Sequence, residues 1–353
     1  MTSAETVLTE PASASMHPAG PAELLERSMP HGSPPRHQAF VQALATEIPA
    51  RYTLELEGGT AVGDFGANVT RGGVLDYQTS AYFGIDGWRE HPVFLRPRLP
   101  AVEDFAGTLL NLTSCGTSSN YYHFLFDVLP RYGTFEEALP GRVPDAVLVP
   151  HATRYQRELL ALAGIDLPML QPSPGRAVRA DRLLVPSTPN RDLAAPRWVT
   201  RWLRDRLPPS PGRQRGGRLY LTRGDKPNTR RYVQESELWP SLESRGFVRL
   251  DPGTLSVQEQ IDCFHAAEVI VAPHGAALSN LVFCQPGTRV LELFAHNYVH
   301  LGLWAISQSI EGICYHYLVA EGGRSRGASA TGVLTDIRIP PARVLTAIDE
   351  MLA

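Results

Sequence analysis

Long apolar runs are missing from this chain: no stretch approaches the roughly 18 consecutive apolar residues that a membrane-spanning helix needs. The first residues also lack the basic-then-apolar order of a secretory signal, so a cytoplasmic protein is the expectation. Excess charge of either sign is missing too. With Lys+Arg 33 against Asp+Glu 36 and a net charge of -3, no broad basic field is available to hold a nucleic acid backbone, and nucleic acid is not expected as a partner. Cysteine is scarce. Cys115, Cys263, Cys284 and Cys314 stand singly and never as C-x-x-C, which suggests neither a zinc knuckle nor a disulfide framework and predicts reduced thiols. No two aspartates are spaced D-x-D, a common way for paired carboxylates to hold a divalent ion.

What is present is a globular composition, 43% hydrophobic and 20% charged. At 353 residues the chain exceeds the usual size of a single core, and two domains are expected. Residues 1–36 are rich in Ala, Ser, Pro and Gly without apolar periodicity, which predicts a disordered leader. Residues 52–80 alternate and are broken by Gly58-Gly59, Gly63, Gly66 and Gly72-Gly73, giving a small β-rich region. In 120–132, Tyr122, Phe126 and Leu129 take helical spacing, and Pro130 is expected to disturb or close that helix. Apolar strands at 146–149 and 183–185 flank a helix over 154–163 that stops at Gly164.

The Pro-rich segment 208–212 is the strongest interruption, and a second strand-helix series follows it. Strands are expected at 218–223, 247–250, 269–272 and 290–294, with helices at 236–244 and 257–267, the latter opened by the capping box Ser256 to Glu259. The expectation is an α/β protein of two sheets with a cleft between them, divided as 37–207 and 208–353. The last helix is left open to packing on either domain.

The most informative run is His274-Gly275-Ala276-Ala277-Leu278-Ser279-Asn280, where an apolar strand ends in a small-residue turn that feeds a helix. Free N–H groups and the positive end of a helix suit a phosphate or diphosphate, and small side chains let the anion approach. Arg223 and Lys226 follow a strand of the same domain and are placed to neutralise a departing diphosphate. Earlier in the chain, His123 and Asp127 lie four apart and so emerge on one helix face, suited to take up a proton. Glu292 falls inside an apolar strand and needs a partner there. His296, Tyr298 and His300 lie just past that strand's exit.

Three blocks, 120–131, Tyr220-Leu221-Thr222-Arg223, and 274–280 followed by 286–292, together resemble glycosyltransferase family 61, including its DUF563-type bacterial members. The resemblance implies a GT-B arrangement of two Rossmann-like domains and an inverting transfer without a required metal or other cofactor. It also implies a nucleotide-sugar donor held mainly by the C-terminal domain, and a glycan or small-molecule hydroxyl as acceptor. Arg223 and the 274–280 turn would meet the donor, and His123 and Asp127 the acceptor. Ala277 and Ser279 stand where the family often has Gly and Thr. The expected chemistry is a single displacement with Asp127, or His123 supported by Asp127, as the base. Two other readings compete: a non-catalytic glycan or nucleotide-sugar binding protein, and a hydrolase using Ser279 or Cys115, although neither residue has the G-x-S-x-G setting.

Overall fold

The computed structural model describes residues 1–82, 84–85, 87–117, 119–225, 227–322 and 332–353. The chain divides into two units: Met1–Glu23 with Ile48–Arg191, and Leu24–Glu47 with Asp192–Ala353. The division precedes the Pro-rich segment because the helix Arg197–Arg206 is tied to the second unit. Arg204 Nη1 donates to the carbonyls of Val282 and Cys284, each at 2.7 Å.

In the first unit the main sheet runs in the order Ala14–Gly20, Arg51–Glu57, Ala177–Pro186, Val102–Asn111, Ala146–Leu148, Met169–Leu170. The first two pairings are antiparallel and the remaining three parallel. Thr60–Val62 and Ala67–Val69 add the short strands expected of the β-rich region. Alternate side chains such as Leu54, Leu56, Leu183 and Val185 close a buried core. The helix Arg154–Leu162 is followed, as expected, by Gly164 at φ +71°.

The expectation of a disordered leader is corrected. Thr2 and Glu5 form a capping box that starts the helix Ser3–Thr9. The hydroxyls of Ser3 and Thr6 then donate to the buried carboxylate of Asp76 at 2.9 and 2.8 Å. Ala14–Gly20 pairs with Arg51–Glu57, Ala14 opposite Leu56. The small polar residues that resembled a linker are ordered by a carboxylate some seventy positions away, a partnership with no local periodicity.

The second unit holds a six-stranded sheet in the order Phe247–Leu250, Gly217–Leu221, Ala267–Pro273, Arg289–Phe294, Cys314–Val319, His31–Ser33, with every pairing parallel. The last of these strands also comes from the supposed leader. Val269, Val271, Leu291 and Leu293 pack with Leu238, Leu242, Val344 and Ile348. Truncating one of these buried leucines to Ala should cost about 2–5 kcal/mol. The C-terminal helix Pro341–Leu352 thus belongs to this unit's own core. From Gly217–Leu221 the chain moves outward to Phe247–Leu250 and then crosses back to Ala267–Pro273 on the other side. The carboxyl ends of Gly217–Leu221 and Ala267–Pro273 therefore flank a topological switch point, where open α/β sheets bind ligands.

Among the described residues no helix is long and apolar enough to cross a membrane. Of the four cysteines, Cys115 and Cys284 are buried, Cys263 half-buried and Cys314 exposed.

Candidate active site

At the switch point Leu221 runs into Thr222-Arg223, and Pro273 into His274-Gly275. The buried carboxylate of Glu235 tethers the first of these ends. It accepts from the Tyr220 hydroxyl at 3.0 Å and from Thr222 Oγ1 at 2.8 Å. Asp336 shapes the loop that follows, accepting from the backbone N–H groups of Asn228 and Thr229 at 3.2 and 3.1 Å and from Arg231 Nε at 3.3 Å. As a result, two guanidinium groups converge on one carbonyl. Arg223 Nη1 and Arg230 Nε donate to the His274 oxygen at 3.3 and 3.4 Å.

This convergence is held under strain. Asn228 and Arg230 sit at φ +60° and +61°, which costs about 1–3 kcal/mol each for residues with a Cβ. Burial lowers the Arg223 pKa to about 10, with the Arg230 charge acting in the same direction, and burial also lowers that of Arg230. Both remain cations at neutral pH, and an anion beside them would offset their mutual repulsion. Gly275 has extended backbone, so its requirement is space: a Cβ there would lie 1.9 Å from Arg223 Nη1. The turn feeds a 3₁₀ helix, Ala276–Phe283, whose N-terminus has no side-chain cap.

Beneath the turn, His274 Nδ1 lies 2.5 Å from Glu292 Oε1, and the Tyr315 hydroxyl donates to Glu292 Oε2. Glu292 is fully buried. Burial pushes its pKa up to about 8, against the opposing pull of the Tyr315 hydrogen bond and the Arg230 charge. Burial, together with Arg230 and Arg223, holds the His274 pKa well below its usual range. Burial thus disfavours the charged form of both members. With both neutral, the Glu292 carboxyl would donate to Nδ1 and Nε2 of His274 would carry the hydrogen. The His274 ring packs against Phe294, Tyr298 and His300, with centroids at 5.1, 5.4 and 5.9 Å, and Arg230 lies over Tyr298 at 5.2 Å.

In the first unit, Asn120 caps a helix, its side chain accepting from the N–H groups of Tyr122 and His123. Pro130 does not end this helix. Instead the ladder opens into a π-helical turn, Phe124–Val128, in which Leu129 N–H reaches the Phe124 carbonyl five residues back, and an α-helix continues over Leu129–Ala138. A wider turn just before the proline absorbs the ring that would crowd an ordinary α-turn. Asp127 lies inside this π turn.

His123 Nδ1 is 2.6 Å from Asp127 Oδ2, and Asn190 Nδ2 donates to Asp127 Oδ1 at 3.0 Å. The guanidinium of Arg131, one helical turn on, is buried and donates to the Thr113 carbonyl at 3.2 Å and to Thr188 Oγ1 at 3.3 Å. Burial lowers its pKa to about 10 while the Asp127 charge opposes that fall. An amide donor and a nearby cation thus both face the carboxyl group that His123 Nδ1 meets.

Residues 121–291 match the family model described as Glycosyltransferase 61. The chain carries a glycosyltransferase family 61 domain. It is a glycosyltransferase enzyme, and a nucleotide-sugar donor and an acceptor are its substrates. No curated protein matches the chain.

The family 61 match opens at Tyr121, in the first turn of the helix that bears His123 and Asp127, and closes one residue before Glu292. Of the donor-side residues expected in this glycosyltransferase, Arg223, His274, Gly275 and Glu292 are brought together. Ala276 and Ala277 sit half-buried at the helix start beside them. Ser279 and Asn280 turn inward: Ser279 Oγ donates to the Ala276 carbonyl at 2.6 Å, and Asn280 Nδ2 donates to Gln260 Oε1 at 2.9 Å. They fix the turn, and the buried Ser279 hydroxyl has no setting for nucleophilic attack. Lys226 lies outside the described residues. His296 lies against Gly322, whereas Tyr298 and His300 reach His274. Sequence reasoning missed Arg230, Asn190, Arg131 and Tyr315. Of these, Arg230 had a signal in standing in the same cationic run as Arg223, and Arg131 in closing the 120–131 block four residues after Asp127.

Proposed function

We propose that this family 61 glycosyltransferase is inverting and metal-independent, moving a hexosyl or pentosyl group from a nucleotide diphosphate sugar to a glycan or small-molecule hydroxyl. In this reading His123 Nε2 takes the acceptor proton as the acceptor oxygen forms its bond to the anomeric carbon. The bond from that carbon to the diphosphate oxygen breaks, and its electron pair leaves with the nucleotide. Asp127 holds the imidazole in the productive tautomer. Arg223, Arg230 and the N–H groups at the start of Ala276–Phe283 stabilise the charge on the leaving group.

The observation that carries the proposal is the convergence of two half-buried guanidinium groups on the Gly275 turn, at a switch point. Fixed cations there perform the task that a divalent ion performs in other enzymes. The proposal includes a GT-B organisation and a role in polysaccharide assembly in a bacterial cytoplasm.

A thermal-shift panel of nucleotide sugars, followed by nucleotide release with and without acceptor in excess EDTA, tests it. One donor should raise the melting temperature, and acceptor-dependent release should persist in EDTA. Strict dependence on an added divalent ion would overturn metal independence, and retention of anomeric configuration in the product would overturn the single displacement.

A further inference from the structure

The first unit carries an exposed apolar cluster remote in sequence from the residues assigned above. Trp88, Phe94, Leu95 and Leu99 are 43%, 49%, 73% and 55% exposed, and the rings of Trp88 and Phe94 meet edge to face at 5.5 Å. Exposed large apolar groups scattered singly need no explanation, whereas four within twelve residues do.

Their exposure is not slack in a loop. Between them His91 and Val93 are buried, and the His91 ring packs edge-on against Phe65 and Tyr82 at 5.4 and 5.8 Å. His91 Nδ1 accepts from Val93 N–H at 3.2 Å. Arg96 ties the far side down, donating to the Pro174 carbonyl and lying over Phe65 at 5.2 Å. The segment is anchored through alternate residues while its largest apolar groups face outward.

Its charge points to the partner. Residues 87–99 contain Arg89, Arg96 and Arg98 against Glu90 alone, in a chain whose net charge is -3. Arg89 and Arg98 are exposed, and the Arg89 guanidinium lies 4.4 Å over the Trp88 ring. A tryptophan and a phenylalanine beside exposed arginines match the boundary between acyl chains and anionic headgroups, where apolar insertion and phosphate pairing act together.

We propose that this loop docks the protein on an anionic lipid surface, with Trp88, Phe94, Leu95 and Leu99 entering the headgroup boundary and Arg89 and Arg98 pairing with lipid phosphates. Co-sedimentation with phosphatidylcholine vesicles, with and without about 30% phosphatidylglycerol, tests this on the full chain. Wild type should sediment with the anionic vesicles and largely stay in solution with the neutral ones.

Trp88→Ala with Phe94→Ala should weaken binding roughly tenfold or more. Arg89→Glu with Arg98→Glu should remove the preference for anionic vesicles, and raising salt to ~0.5 M should weaken wild-type binding. Circular dichroism and melting temperature of both variants should match wild type, since the altered side chains are exposed. Failure of wild type to sediment, equal binding to both vesicle types, or unchanged binding by the Trp88/Phe94 variant would overturn the proposal. So would a concentration-dependent dimer that this variant abolishes, because the cluster would then be covered by a second copy of the chain.

Discussion

His123 with Asp127 and His274 with Glu292 pair the same kinds of side chain through the same ring nitrogen, at 2.6 and 2.5 Å. Their surroundings give them opposite polarity. Asp127 is met by the Asn190 amide and lies near the Arg131 charge, two groups that complement a carboxylate placed against His123 Nδ1. Glu292 is fully buried and its pKa is raised to about 8, which favours the neutral carboxyl, a group able to donate to His274 Nδ1. In the proposed reaction the first pair receives a proton and the second presents one, and the difference lies in the groups facing the carboxyl rather than in the pair itself.

The sharpest way to break this comparison is Asp127→Asn. The amide occupies the same space but would present an N–H to His123 Nδ1, or lose that hydrogen bond, and so the productive tautomer is lost. The kcat for transfer should fall about 10⁴-fold, with donor affinity by calorimetry nearly unchanged. Retained turnover would remove the first pair from the base role.

The anion side of the comparison is tested by Arg230→Ala and Arg223→Ala, each of which should lower kcat/KM for the donor by about 10²–10³-fold. Gly275→Ala should mimic the Arg223 variant, since the added methyl occupies the guanidinium's position. A Gly275→Ala enzyme with unaltered donor kinetics would show that this crowding does not matter. A smaller effect isolates the orienting amide: Asn190→Ala should cost about 10–100-fold in kcat. Donor affinity by calorimetry should stay near that of wild type, which separates the effect from a general loosening of the fold.

Much of this frame was legible in the chain. The 3.6-residue spacing of Tyr122, Phe126 and Leu129, the capping box at Ser256 and the apolar runs ending at Pro273 and Phe294 are local signals, and the matching elements form. What was illegible depends on distant partners. The strand His31–Ser33 is ordered by pairing with Cys314–Val319, and the Thr6 hydroxyl is met by the distant Asp76. The π turn shows the converse: Pro130 signalled that the helix would be disturbed or closed, and of the two it is the disturbance that forms, with Phe124–Val128 buried as the helix continues. Arg230 escaped notice because a basic run reads as a solvated loop until Asp336 folds it onto His274.

The smallest and most discriminating effect is expected at Glu292→Gln. If the buried carboxyl is neutral and donates to His274, then the amide reproduces it, donating to Nδ1 and accepting from the Tyr315 hydroxyl. Donor affinity at pH 7 should then stay within a few-fold of wild type, the opposite of the outcome at Asp127. Stability carries the second readout. Between its usual value of 4.5 and about 8, native Glu292 keeps a proton that the unfolded chain releases, so stability falls as pH rises through that window. His274, lowered from 6.5, acts in the other sense below pH 6.5, where the unfolded chain takes up a proton that the native state refuses. From pH 6.5 to 8 only the Glu292 contribution remains, at most about 2 kcal/mol. Wild type should therefore lose melting temperature across that interval relative to Glu292→Gln. Parallel melting curves would mean that Glu292 is already ionised, and that the two histidines present the same face after all.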